Sequence, residues 1–168
     1  MVAVCERDLC LAARLGGASG QPGDHQELLA DLRRELGVSY LFISHDISTV
    51  RAVCDEVVVL YAGRKVDAGD RAAMGHPPFH PYADLLVASV PELRIGWLDA
   101  LPPRLAGSLP PVDESPTAAG LCPFLPRCAV RRAGRCDTAP APRQALPDGR
   151  EVLCHVSLDE LSRIQGAA

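Results

Sequence analysis

The sequence predicts an α/β unit of parallel strands with an edge hairpin, followed by an irregular, cysteine-rich, metal-binding tail. Three observations carry that expectation. Two short, continuous apolar runs, Val38–Ile43 and Val57–Tyr61, have the composition of strands buried on both faces, as in a parallel sheet. Leu28, Leu29, Leu32 and Leu36 recur at helical spacing just ahead of the first run. Ten of the fifteen prolines fall between Pro102 and Pro147, where periodicity fades and turn signals take over. With 168 residues, 48% of them apolar, the chain can bury one core and carry an appendage.

Taken in order, the elements follow from local chemistry. Residues 1–23 fit neither pattern, and they are expected to form a non-matching, disordered leader. Asp24 caps a helix with Glu27 three residues on, and Gly37 ends it. The strand Val38–Ile43 stops at Ser44-His45-Asp46, and ligands in open α/β sheets bind beyond the carboxyl ends of strands. Three adjacent residues cannot form a hydrolytic triad, whose members must converge from separate segments. On its own, His45 reads more readily as a loop or capping histidine than as a site residue. Ile47, Val50, Val53 and Cys54 mark a short helix, which Asp55 breaks. Val57–Tyr61 is the second strand, Ala62-Gly63-Arg64 turns the chain, and Lys65–Ala68 returns as an exposed edge strand. A short helix is expected from Asp70 to Met74, and the prolines at 77, 78 and 81 then enforce a loop. Residues 82–89 read as a short amphipathic helix, and Ser157 with Glu160 forms a capping box for a terminal one. The domain boundaries expected are thus 24–75 for the α/β unit and 76–168 for the extension.

The tail holds four of the seven cysteines, Cys122, Cys128, Cys136 and Cys154, within 33 residues at gaps of five, seven and seventeen. So proline-rich a stretch needs a staple, which could be disulfides, zinc or an iron–sulfur cluster. No secretory signal and no long apolar window occur in the sequence, which favours a reducing compartment and hence metal over disulfides. Structural zinc sites pair cysteines two to four residues apart, whereas clusters accept looser spacing, so 4Fe–4S is preferred and zinc is the alternative. His155 is a less favourable ligand than its neighbour Cys154. Cys5, Cys10 and Cys54 read as small buried hydrophobes. Arg127, Arg131, Arg132 and Arg135 surround the cysteines and read as a solvated surface. The net charge of −4 leaves no footprint for nucleic acid.

Three stretches in series carry a family resemblance. Tyr40-Leu41-Phe42-Ile43-Ser44-His45-Asp46 followed by Cys54–Arg64 resembles the end of a P-loop ABC-transporter ATPase domain. Pro77-Pro78-Phe79-His80-Pro81-Tyr82, with Leu85-Leu86 and Val90-Pro91, resembles the extension of the oligopeptide/dipeptide/nickel importers. Cys122-Pro123-Phe124-Leu125-Pro126-Arg127-Cys128, then Cys136 and Val152-Leu153-Cys154-His155, is similar to that subfamily's cysteine motif. Together they cover about residues 26–156.

The resemblance implies that His45 is the switch histidine that contacts the γ-phosphate of ATP. It also implies that Cys122, Cys128, Cys136 and Cys154 ligate a 4Fe–4S cluster, and that His80 and Tyr82 are marker residues, read here as structural. The partners implied are membrane permeases and a second ATPase subunit, with the chain peripheral on the cytoplasmic face of the cell membrane. Two departures matter. No glycine-rich loop ending in Lys-Ser or Lys-Thr occurs, and no apolar run ending in Asp-Glu precedes residue 24. Gly16-Gly17-Ala18-Ser19-Gly20-Gln21 only faintly echoes the signature loop. ATP and Mg²⁺ are therefore expected only in an intact family member, and the chain reads as a truncated ATP-binding subunit inactive alone. The alternatives are a stand-alone metal-binding interaction module and a gene fragment without function.

Overall fold

The computed structural model describes residues 2–5, 10–11, 31, 34–37, 39–90 and 120–166. Strand β3 (Ser39–Ser44), helix α1 (Ile47–Val53) and strand β4 (Glu56–Tyr61) follow one another in the expected places. Strand β1 (Val2–Cys5) lies between β3 and β4 and is antiparallel to both, pairing Val2 with Ser44 on one side and with Val59 on the other. β3 and β4 consequently point the same way, and α1 crosses over between them.

Among the described residues the sheet has seven strands in the order β2-β3-β1-β4-β5 (Arg64–Asp70)-β7 (Glu151–Leu153)-β6 (Arg143–Ala145), and five of these six pairings are antiparallel. Only β2 (Cys10–Leu11) runs parallel to its neighbour, β3. The expected parallel P-loop arrangement is therefore corrected to a largely antiparallel sheet. The cause is local. The slot between the two co-directional strands is filled by a strand of opposite direction, and every strand beyond β4 joins antiparallel, in the manner of hairpins.

β4 and β5 (Arg64–Asp70) form the expected hairpin. Its two central residues, Ala62 and Gly63, have φ of 48° and 75°, as a two-residue turn matching strand twist requires. β5 is not an edge, however. It pairs with β7 (Glu151–Leu153) through Asp67↔Val152 and Ala68↔Glu151, and β7 pairs in turn with β6 (Arg143–Ala145). The tail expected to be irregular thus extends the sheet. Its two strands are three residues each, and Pro142 and Pro147 flank β6, so neither shows an alternation long enough to read. The helix expected from Asp70 shrinks to a single 3₁₀ turn at Ala73–Gly75.

The larger core packs Ile47 and Val50 of α1 against Val57 and Val59 of β4, Val66 of β5, Met74, Phe79, Leu153 and Ala83 of α2 (Pro81–Ala88). A smaller core joins Val152, Cys154, Val156 and Leu161 of α3 (Leu158–Gly166). Val152 and Leu153 are consecutive in β7 and serve different cores, because side chains alternate across a sheet. The tail is thus folded into the sheet on both faces. Ser157 caps α3, its Oγ accepting from the Glu160 amide at 3.3 Å.

Gly69 marks where β5 meets the tail most closely. A Cβ there would lie 2.2 Å from Arg150 Cγ. Gly69→Ala is expected to lower unfolding free energy by about 1–3 kcal/mol, through overpacking against a side chain that cannot move aside. Urea denaturation checks this, and an unchanged midpoint would show that Arg150 has room to yield.

The helix expected from Asp24 falls largely outside the described residues, though 31 and 34–36 are helical and Leu36 is 64% exposed. The disordered leader expected over 1–23 lies outside them except for β1 and β2.

Candidate functional site

His45 sits at the bend between β3 and α1, exposed at the carboxyl end of its strand. Its neighbours are committed to the backbone. Ser44 Oγ accepts from the Asp46 amide at 3.0 Å. Asp46 is the N-cap of α1: its Oδ1 accepts from the Ser48 amide at 2.9 Å, and its Oδ2 from Thr49 Oγ1 at 2.6 Å. The Ser-His-Asp run is thus a strand end, a presented imidazole and a helix cap.

The cysteine tail departs from expectation. Cys54, Cys122, Cys128, Cys136 and Cys154 are free thiols. Among the described residues, no group of three or more His, Cys, Asp and Glu is arranged to hold a metal ion. The 4Fe–4S cluster and its zinc alternative are therefore corrected: these residues do not fit either group. Burial, with smaller contributions from the other tail cysteines, pushes Cys128 up to about 12 and Cys154 up to about 11. Those influences put the four sulfurs in one neighbourhood, yet two of them face partners elsewhere. Cys136 Sγ faces the Arg132 amide at 3.3 Å, and Cys122 Sγ meets His80 Nε2 at 3.6 Å. His155 Nε2 instead meets the carbonyl of Ala139 at 3.0 Å. Arg132 pairs with Glu160 of α3, while Arg131 and Arg135 are exposed.

His80 joins the tail to the sheet. It is the N-cap of α2, and its Nδ1 accepts from the Tyr82 amide at 3.1 Å. That bond assigns the proton to Nε2, which therefore donates toward the Cys122 sulfur. Phe124 packs against Tyr61 of β4, Tyr82 and His80, with ring centroids 5.2, 5.5 and 5.9 Å away. Edge-on packing of this kind adds to the area it buries.

The principal feature missed in the sequence is a buried polar clamp on residues 73–80. Arg150, 1% exposed, donates to the carbonyls of Ala73, His76 and Pro78 at 2.9, 2.8 and 2.6 Å. It also lies 3.6 Å from Asp67 Oδ1 and over the Phe79 ring. Asp67 Oδ2 accepts from the His80 amide at 2.7 Å. Gln165 of α3 brackets Phe79, accepting from its amide at 2.7 Å and donating to its carbonyl at 2.8 Å. Three side chains from distant segments thus hold a proline-rich loop that has little regular bonding of its own. The sequence held one faint signal, Gly69 in a strand, which marks close backbone approach.

A co-directional β3–α1–β4 crossover thus presents an exposed histidine beyond β3, and the C-terminal segment joins the same sheet through β7. Comparisons with known proteins show what this chain is similar to. Residues 66–136 match the family described as the oligopeptide/dipeptide transporter C-terminal region. A Brucella abortus protein named as a peptide import ATP-binding protein is 44% identical over 129 residues, 77% of this chain and 36% of that protein. A Brucella melitensis protein of the same name is 43% identical over 129 residues, 77% of this chain and 32% of its own length. A Sinorhizobium fredii protein named as a peptide ABC transporter ATP-binding protein is 37% identical over 131 residues, 77% of this chain and 35% of that protein. The chain is thus similar to part of proteins named as peptide import ATP-binding proteins, and to the C-terminal region of oligopeptide/dipeptide transporters. It spans about a third of the length of these relatives. Among the described residues, no helix is long and apolar enough to cross a membrane.

Proposed function

We propose that this chain serves as the C-terminal portion of the ATP-binding subunit of a peptide importer, with His45 as the residue that faces the γ-phosphate. The observation that carries the reading is the alignment over 129 residues with peptide import ATP-binding proteins, which spans both the His45 strand and the extension. An exposed imidazole at a strand's carboxyl end suits the role, since it can donate to a phosphate oxygen and respond to its loss. On this reading residues 24–75 are the partial ATPase domain and 76–168 the extension. The partners are permease subunits and a second ATPase subunit on the cytoplasmic face of the membrane, and the cargo is an oligopeptide or dipeptide.

The sequence given carries no glycine-rich phosphate loop ending in Lys-Ser or Lys-Thr. The chain on its own is therefore expected to show no saturable binding of ATP–Mg²⁺ in the micromolar range by isothermal titration. Co-expressed with the permease subunits of a peptide importer from the same organism, the chain is expected to co-purify with them. Micromolar ATP binding by the chain alone, or its recovery free of permeases, would overturn the reading.

A further inference from the structure

His45 is flanked by two polar side chains for which the proposed function has no use. Neither reaches out toward a ligand. Ser44 Oγ turns back over His45 to accept from the Asp46 amide at 3.0 Å. Asp46 spends both oxygens on the first turn of α1. Its Oδ1 takes the Ser48 amide at 2.9 Å and the Ser48 hydroxyl at 2.5 Å, and its Oδ2 takes the Thr49 hydroxyl at 2.6 Å. Its carbonyl accepts the first helical bond, from the Val50 amide at 3.2 Å. Val50 is itself completely buried, so this turn is anchored in the core.

The backbone is therefore tied down on both sides of a residue whose own ring is exposed. The hydrogen bonds from Ser48 and Thr49 hold the Asp46 carboxyl down at about 2, so the cap is ionised at neutral pH. Three acceptor sites of the carboxylate are thus directed at the first turn of α1.

We infer that Ser44 and Asp46 are positioning residues for His45: the Ser44–Asp46 turn and the Asp46 cap together fix the direction in which the imidazole leaves the end of β3. Ordering this short segment in advance removes an entropy cost that contact with a phosphate would otherwise carry. The inference rests on the reading of His45 as the phosphate-facing histidine, but its test needs no nucleotide.

The full chain, labelled with ¹⁵N and ¹³C, is compared as wild type, Ser44→Ala, Asp46→Ala and Asp46→Asn. The readouts are the backbone order parameter at His45 and the chemical shift of its Cδ2–Hδ2 pair. Wild type is expected to show order of about 0.85 at His45, as in rigid backbone. Ser44→Ala leaves the cap untouched, so it should lower order at His45 below about 0.6 and shift the ring signal, with α1 unchanged. Asp46→Ala should do the same at His45, and Asp46→Asn, which retains a capping oxygen, should restore it. Unchanged order and ring shift in Ser44→Ala would overturn the inference. So would a loss in Asp46→Ala spread evenly over α1 and not rescued by asparagine, since that is the mark of a helix cap and nothing more. If the phosphate reading is wrong, the failure appears in the co-purification and ATP titration and leaves these spectra as they are.

Discussion

Arg150→Ala is expected to lower the unfolding free energy of this chain by about 3–5 kcal/mol, the range for removing one partner of a buried ion pair. The side chain is 1% exposed and its counter-ion Asp67 fully buried. Three carbonyls, those of Ala73, His76 and Pro78, would lose a donor at once. Each orphaned buried acceptor costs about 1–3 kcal/mol, less where water follows into the cavity. Asp67 would keep the His80 amide but lose the positive charge 3.6 Å away.

Two companion variants separate these effects. Arg150→Met keeps most of the stem that fills the space above Phe79, so what it loses is charge and hydrogen bonds. Adding Asp67→Asn to it removes the stranded carboxylate, and the pair should cost less than the sum of the single changes by about 1–3 kcal/mol. Urea denaturation followed by far-ultraviolet circular dichroism measures wild type, these three variants and Asp67→Asn alone. A loss below about 1 kcal/mol for Arg150→Ala would mean that the loop at 73–80 holds itself.

The clamp also shows where sequence reading reached and where it stopped. Elements of strong local pattern were legible. The apolar runs at 38–43 and 57–61 became β3 and β4, and the Ala62-Gly63 turn joined β4 to β5. The helix at 82–89 starts one residue earlier, where Pro81 is well placed in a first turn. Strand direction was not legible. A continuous apolar run reads as a strand buried on both faces with parallel neighbours, yet Leu41 and Ile43 of β3 are 37% and 57% exposed. The neighbour is β1, whose direction is a tertiary fact absent from the pattern of β3 or β4. The four cysteines mislead in a similar way. Their spacing allows a cluster, but ligation needs sulfurs aimed at one centre, and here Cys122 turns to His80 and Cys136 to the Arg132 amide. Arg150 sits among polar turn residues and reads as surface. Only the pairing of β7 with β5 carries it inward.

The same buried layer should give the protein an unusual dependence on pH, because two adjacent groups respond to acid in opposite senses. His80 is 1% exposed, and burial drives its pKa down from 6.5 to about 3. The unfolded chain takes up this proton near pH 6.5 and the folded chain only near pH 3. His80 therefore supports the fold in full above pH 6.5, and that support is lost as pH falls toward 3. In Asp67, burial outweighs the His80 amide and Arg150 and raises the carboxyl from 3.8 to about 6. Its contribution runs the other way: complete below pH 3.8 and lost as pH rises through 6.

Between about pH 4 and 6 the two slopes nearly cancel, so wild type should be flat there and lose stability only below about pH 4. Single variants remove one slope and expose the other. His80→Asn keeps an N-cap acceptor for α2, and its unfolding free energy should rise by about 3 kcal/mol between pH 6.5 and 4, on the strength of Asp67 alone. Asp67→Asn should fall by about 3 kcal/mol over the same interval, on the strength of His80 alone. The comparison is between slopes, so any fixed cost of either substitution drops out. Urea midpoints collected at about pH 4, 5, 6 and 7 decide the matter. Parallel profiles for the three proteins would show that neither group changes its protonation on folding, and would remove the link between this buried layer and acid stability.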